Sequence, residues 1–347
     1  MGFAKAFQFA EIKPLTIAIS KSVGIVWLIA TLLFITTAIL FFLKKDYWAI
    51  FSILAVLISQ ILILLSWHEA KFGTIANLII LIISIIGLGT WSFYKKYQDD
   101  VKTNLHQKEY FQNSNLTEKD MEHLPDQVKK YLRYTGCLGK PKVNNFKIEF
   151  AGKIRKDEQQ VWMPFSSEQY NFMKTPTRLF FMKADMVHMP VAGYHKYLNG
   201  DAYMDIRLFS LFKVQFQDGE EMNKAETVTF FNDMCCMAPA TLIDKRISWQ
   251  VKDKNMVTAT FKNNEITISA DLFFNENGEL INFKSKDRYN TEAGKAVPWS
   301  TPLSKYKVRN GYKLPGYAET IYTYPSGDFC YGTFEVSSIK YNCKADN

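Results

Sequence analysis

The chain has 347 residues, room for a membrane bundle and one sizeable soluble domain, and its formal net charge of +8 comes from lysines spread among carboxylates. No dense basic block and no nucleic-acid motif accompanies that charge, so it points to solubility and attraction to anionic headgroups and excludes a nucleic-acid partner. The five cysteines, Cys137, Cys235, Cys236, Cys330 and Cys343, form neither an even disulfide set nor a CxxC pair. They read as small buried hydrophobes and leave thiolate metal binding without support.

Three apolar runs come first, at Ser22–Leu43, Tyr47–Trp67 and Thr74–Phe93. Each is about 20 residues, or about 30 Å as a helix, which matches the hydrocarbon core of a bilayer. The first is too long for a signal-peptide core and is followed by Lys44-Lys45, not by a small-residue cleavage site, so it is expected to be retained. Trp27, Tyr47, Trp48, Trp67, Trp91 and Tyr94 lie near the ends, where amphipathic rings settle, and the flanking lysines can snorkel. Connections of a few residues make neighbouring spans antiparallel. Lysines on the two sides nearly balance, so the side that carries the rest of the chain stays undetermined. Gln60 and Asn77 are expected to hydrogen-bond between helices, and His68-Glu69 to sit in a solvated loop. Without a buried charge these spans predict an anchor, not a transport path. The expected organisation is a membrane region over 1–94, a juxtamembrane linker over 95–123 and a soluble domain over 124–347.

The soluble part opens with a short helix over Asp126–Tyr134, where Val128, Tyr131 and Leu132 share a face and Gly136 ends the pattern. Period-two alternation follows, in Phe146–Ile154, Arg178–Val187, Met256–Lys262, Glu265–Phe274, Ile281–Tyr289, Ala318–Tyr324 and Thr333–Tyr341. Asn199-Gly200, Asn277-Gly278 and Asn310-Gly311 mark hairpin turns, and Tyr194–Phe209 is the clearest hairpin. A segment over about 225–243 carries helical spacing and reads as an inserted helix that Pro239 bends or ends. The pattern predicts an α-helical membrane anchor plus an α+β soluble domain. That domain is a large curved antiparallel sheet of about ten strands, a half-barrel, with one or two helices packed on it.

Standard catalytic signatures (GxSxG, HExxH, P-loop, GxGxxG) are absent from the sequence. His188 and His195, with Asp185 or Asp201, lack a spacing that would fix a metal and read as strand or surface histidines. Glu168, Asp287, Glu319 and Asp328 are candidate acids, although no partner geometry is visible. Aromatic residues and methionines crowd the strands. Read structurally they fill the core; read functionally they line an apolar cavity for a lipid or acyl chain. Trp162, Phe165, Tyr203, Trp299 and Tyr317 are the candidate lining residues, with Glu168 beside them and Arg288 as the holder of a polar headgroup. No catalytic residue, cofactor or metal is assigned.

The chain resembles an uncharacterised family of bacterial membrane proteins, a domain of unknown function. The resemblance rests on Leu124–Gly136, Trp162–Tyr170, Asn199–Phe212, Phe230–Leu242, Asp287–Asn290, Pro298–Pro302 and Tyr324–Gly332, with Ser66–Ile79 similar to the membrane portion of longer members. Those members carry a further apolar helix upstream, which implies an N-terminally shortened chain here. The family's soluble domain is similar to periplasmic lipoprotein carriers, which implies a half-barrel and apolar-ligand binding. The expected protein sits in a bacterial inner membrane, with the bilayer and an apolar ligand as partners. The alternatives are an enzyme on envelope lipids or glycans using Glu168, Asp287 or Asp328, and a non-catalytic accessory protein.

Overall fold

The computed structural model describes residues 1–12, 17–106, 114–186, 189–290 and 293–345, which divide into two units. The first comprises Met1–Lys96 with Phe209–Leu211, and the second Tyr97–Leu208 with Phe212–Asn347.

Helices α1 (Gly2–Ala6), α2 (Lys21–Phe42), α3 (Trp48–Leu65), α4 (Trp67–Ala70) and α5 (Gly73–His106) begin the chain. Of these, α2, α3 and α5 are long and apolar enough to cross a membrane. The Ser20 hydroxyl caps α2 by accepting from the Val23 amide at 3.4 Å. Ile25, Leu32, Ile35 and Ile39 stay exposed along α2, a face that water would not favour. Polar side chains instead meet between α3 and α5. Asn77 donates to Gln60 Oε1 at 3.0 Å and to Ser59 Oγ at 3.1 Å, and Ser84 donates to Ser52 at 2.7 Å. Gln60 and Asn77 are therefore helix-packing residues.

The second unit takes the last turns of α5 from Tyr97, then α6 (Asp126–Tyr134) and α7 (Glu220–Met237). Its strands are β1 (Asn145–Ile154), β2 (Met163–Phe172), β3 (Thr177–Met186), β4 (Met189–Leu198), β5 (Asp201–Leu208) and β6 (Phe212–Asp218). After α7 come β7 (Ile247–Val251), β8 (Met256–Asn263), β9 (Ile266–Phe274), β10 (Leu280–Ser285), β11 (Tyr289–Asn290), β12 (Lys295–Ala296) and β13 (Trp299–Ser304). The last are β14 (Lys307–Arg309), β15 (Tyr312–Leu314), β16 (Tyr317–Tyr324) and β17 (Gly327–Tyr341).

Thirteen strands form one antiparallel sheet in the order β6-β5-β4-β3-β2-β1-β17-β16-β13-β10-β9-β8-β7. The sheet is open, with β6 and β7 as its edges, and it bears helices as the half-barrel class requires. Two meanders, β1–β6 and β7–β17, meet where the first strand pairs with the last. Asn199-Gly200 and Asn310-Gly311 both take positive φ (52° and 106°, 49° and 80°), the geometry of a twisted two-residue hairpin.

Helix α7 packs chiefly on β4, β5, β6, β9 and β10, so it lies across one face of the sheet. It is buried nearly all round, and Phe231 stacks on Phe261 at 5.3 Å. Helix α6 joins the same core through Tyr131, whose hydroxyl donates to the Cys235 carbonyl at 2.9 Å. All five cysteines are free; Cys137, Cys235 and Cys236 are buried as apolar filler, and burial pushes the Cys137 thiol up to about 11.

Candidate functional site

The register of β2, β3 and β4 sets out a block of side chains on the α7 face. Asn171, Arg178 and Tyr197 form one cross-strand row, and Gln169, Phe180 and His195 the next. Above them α7 presents Glu226 and Asp233, seven residues apart and therefore on one side of the helix.

Arg178 binds both acids. Its Nη1 donates to Glu226 Oε2 at 3.0 Å, its Nε to Asp233 Oδ2 at 2.9 Å and its Nη2 to Gln169 Oε1 at 3.0 Å. Asp233 Oδ2 also accepts from Gln169 at 2.8 Å and from Asn171 at 3.2 Å. His195 Nδ1 lies 3.2 Å from Glu226 Oε1, and His195 is the most exposed of the four ionisable members, at 19% of its side chain. Burial works to raise the Glu226 carboxyl, yet Arg178, His195 and Arg288 outweigh it and hold that group down at about 2. Burial prevails at Asp233 and raises it despite Arg178, Asn171 and Gln169. One guanidinium between two buried carboxylates thus lowers the pKa of one and fails to offset burial at the other.

On the flank of α7 towards β13, Arg288 donates through Nη1 to the Ala225 carbonyl at 3.1 Å and to the Thr229 hydroxyl. Its guanidinium lies 4.6 Å from the centre of the Trp299 ring, a cation–π arrangement. The Tyr322 hydroxyl engages the Arg288 guanidinium, while Arg288 Nε is buried with no hydrogen-bond partner among the described residues, as is Ser167 Oγ on the same sheet face. Buried donors are normally satisfied, so this Nε is free to donate to a further group.

The structure distributes the seven sequence-derived candidates over both faces. Phe165, Arg288 and Trp299 belong to the α7 face, and Trp299 Nε1 donates to the Tyr331 hydroxyl at 3.0 Å. Phe165 meets Phe334 at 5.0 Å over Gly152. Glu168, Tyr203 and Tyr317 point to the opposite face. There Glu168 pairs with Lys147 at 2.5 Å, Tyr203 stacks on Phe216 at 6.0 Å, and Tyr317 donates to Glu319 at 3.0 Å. Trp162 lies in the β1–β2 connection with the Arg155 guanidinium 4.5 Å from its ring centre. That opposite face also receives the end of α5, where Asp100 accepts from Tyr194 and from Lys196, both at 2.7 Å.

The three acids considered for catalysis engage three separate sets of partners: Glu168 with Lys147, Asp287 with Lys224 and Ser269, and Asp328 with Thr323. His188 lies outside the described residues, and His195 turns to Glu226. Among the described residues no group of three or more His, Cys, Asp and Glu could hold a metal ion. Gln169, Asn171, Arg178, Glu226 and Asp233 escaped the sequence reading. The available signal was an arginine directly before the apolar run Leu179–Met182 and two acids seven apart in a helix with no polar side.

Residues 114–334, well over half of the chain, match a family of unknown function, DUF6544. None of the curated proteins compared with the chain matches it. Among solved structures, a domain assigned to outer membrane lipoprotein sorting from Vibrio parahaemolyticus overlaps with a TM-score of 0.39 at 6% identity, covering 63% of this chain and 94% of that one. A LolA superfamily protein from Nitrosomonas europaea overlaps with a TM-score of 0.35 at 8% identity, over 63% of this chain and 95% of that one. At this level of overlap the likeness carries no functional argument.

Proposed function

Because this chain belongs to the DUF6544 family, whose function is unknown, its own geometry has to supply a role, and we propose that it is a membrane-anchored binding protein for an amphipathic anion, a lipid or acyl chain. The observation that carries this reading is Arg288: a cation braced by α7, laid on Trp299 and left with a buried unpartnered Nε. Such a group receives a carboxylate or phosphate oxygen. Around it, Trp299, Tyr322 and Tyr331 give apolar walls with polar tips, and Phe165 and Met182 continue the apolar surface along the same sheet face. Three apolar helices hold the chain in the membrane, which we assign to the bacterial inner membrane, so an apolar ligand would be met where it is abundant.

Catalysis finds less support, since Glu168, Asp287 and Asp328 hold different partners and Glu226 and Asp233 are both engaged by Arg178. The test is native mass spectrometry of the full chain extracted in a neutral detergent. An acidic amphiphile should copurify with the wild type and be lost or reduced at least about tenfold in Arg288→Gln, the scale of one charge-assisted hydrogen bond. Empty wild-type protein that also fails to take up a soluble fatty acid would overturn the reading.

A further inference from the structure

We propose a second binding site, for a phosphate-bearing small anion, at the end of the sheet where the β2–β3, β4–β5 and β8–β9 turns meet the entry to β7. A cavity of about 570 Å³ opens there, lined by Lys174, Lys245, Arg246 and Lys262 with Asn and Ser side chains, and no acidic residue lines it. Arg246 is already engaged by Asp244 at 2.5 Å and braces the wall by donating to the Met173 carbonyl at 2.6 Å. Lys174, Lys245 and Lys262 have no counter-ion among the described residues, and each is exposed. Three lysines without a counter-ion around one concavity give it a positive potential, which favours an anion.

The walls are fixed in advance. The Asn264 amide donates to the Asn199 carbonyl at 2.7 Å, Asn199 N–H donates to the Pro176 carbonyl at 2.8 Å, and Lys262 N–H donates to the Arg246 carbonyl at 3.0 Å. Four chain segments are thereby tied into one rim before any ligand arrives, which lowers the ordering cost of binding. The Ser248 hydroxyl adds a neutral donor at the rim. The volume falls in the range of small-molecule sites, and lysine ammonium groups are point-charge partners of phosphate oxygens. A free phosphate and the headgroup of a short-chain or bilayer lipid present the same chemistry to the lysines. None of the lining residues belongs to the Arg288 site, so this site stands or falls independently of the proposed function.

The experiment uses the full chain in nanodiscs of phosphatidylcholine, titrated by calorimetry with inorganic phosphate and, separately, with dihexanoylphosphatidic acid. Two triple variants are compared: Lys174→Gln with Lys245→Gln and Lys262→Gln, and a control of equal charge change, Lys286→Gln with Lys295→Gln and Lys307→Gln. Saturable phosphate binding weakened about tenfold in the first triple and unchanged in the control supports a free anion, that factor being the summed effect of three exposed ion pairs. The same pattern for the short-chain lipid alone supports a headgroup. Absence of saturable binding for both probes, or equal weakening in both triples, overturns the site.

Discussion

Arg178 holds two buried carboxylates through two different nitrogens, and its own side chain is only 8% exposed. Removing it leaves Glu226 and Asp233 with amide and histidine donors only. Arg178→Met should therefore lower stability by about 3–5 kcal/mol, the usual penalty for stranding a buried charge, as a fall in thermal midpoint in detergent. Asp233→Asn should cost less, about 1 kcal/mol, because the amide oxygen can still accept from Arg178, Gln169 and Asn171 and burial already opposes the charged form there. The pH dependence has a defined sign. Glu226 is depressed in the folded chain from an ordinary 4.5 to about 2, so its contribution is present above pH 4.5 and is lost as pH falls towards 2. Asp233 is raised and works in the opposite sense, gaining stability as pH falls through its folded value. The midpoint difference between wild type and Glu226→Gln should be widest near neutrality and shrink below pH 4.5; a constant difference down to pH 2 would contradict this. None of this was legible locally. Arg178 finds its acids 48 and 55 residues away, and strand periodicity carries no information about a partner on a helix.

At the scale of elements, β2 shows why pattern reading fell short. Its α7-facing positions are Phe165, Ser167, Gln169 and Asn171, and three of those four are polar because they serve the charged cluster or its surroundings. Alternation of apolar and polar residues is thereby erased in a central strand, whereas β1, β8, β9 and β16 keep it and were found. Helix α7 begins at Glu220, ahead of the expected 225, since Glu220 and Glu221 suit the positive end of the helix dipole but carry no apolar period. The strand pair β1–β17 contains its own device. A Cβ on Gly152 would lie 2.0 Å from the Thr333 carbonyl oxygen and 2.7 Å from the Phe165 ring. Phe165 and Phe334 close over the bare glycine from both neighbouring strands. Gly152→Ala should push a backbone carbonyl and cost about 1–3 kcal/mol, read as a lower midpoint and faster amide exchange in β1 and β17. Unchanged exchange there would show that the strand accommodates the methyl.

At the scale of the molecule, the anchor was the most legible part, because about 20 apolar residues admit few interpretations in water. Asn77→Leu removes two hydrogen bonds between α3 and α5, to Gln60 and Ser59. At about 0.6 kcal/mol per bond within a membrane, a loss near 1 kcal/mol is expected in a reversible unfolding assay in detergent. The sheet makes larger demands. Its middle is the β1–β17 pair, and Asn145 donates to the Cys343 carbonyl across 198 residues of sequence. Synthesis runs at about 5–20 residues per second, so β1 is made about 10–40 s before the strand that will cover its edge exists. For that interval the nascent chain displays one unpaired edge of β1, and a ribosome stalled short of Gly327 leaves it so permanently. The timing of translation, and whatever shields the growing chain, is thus built into the order of the strands.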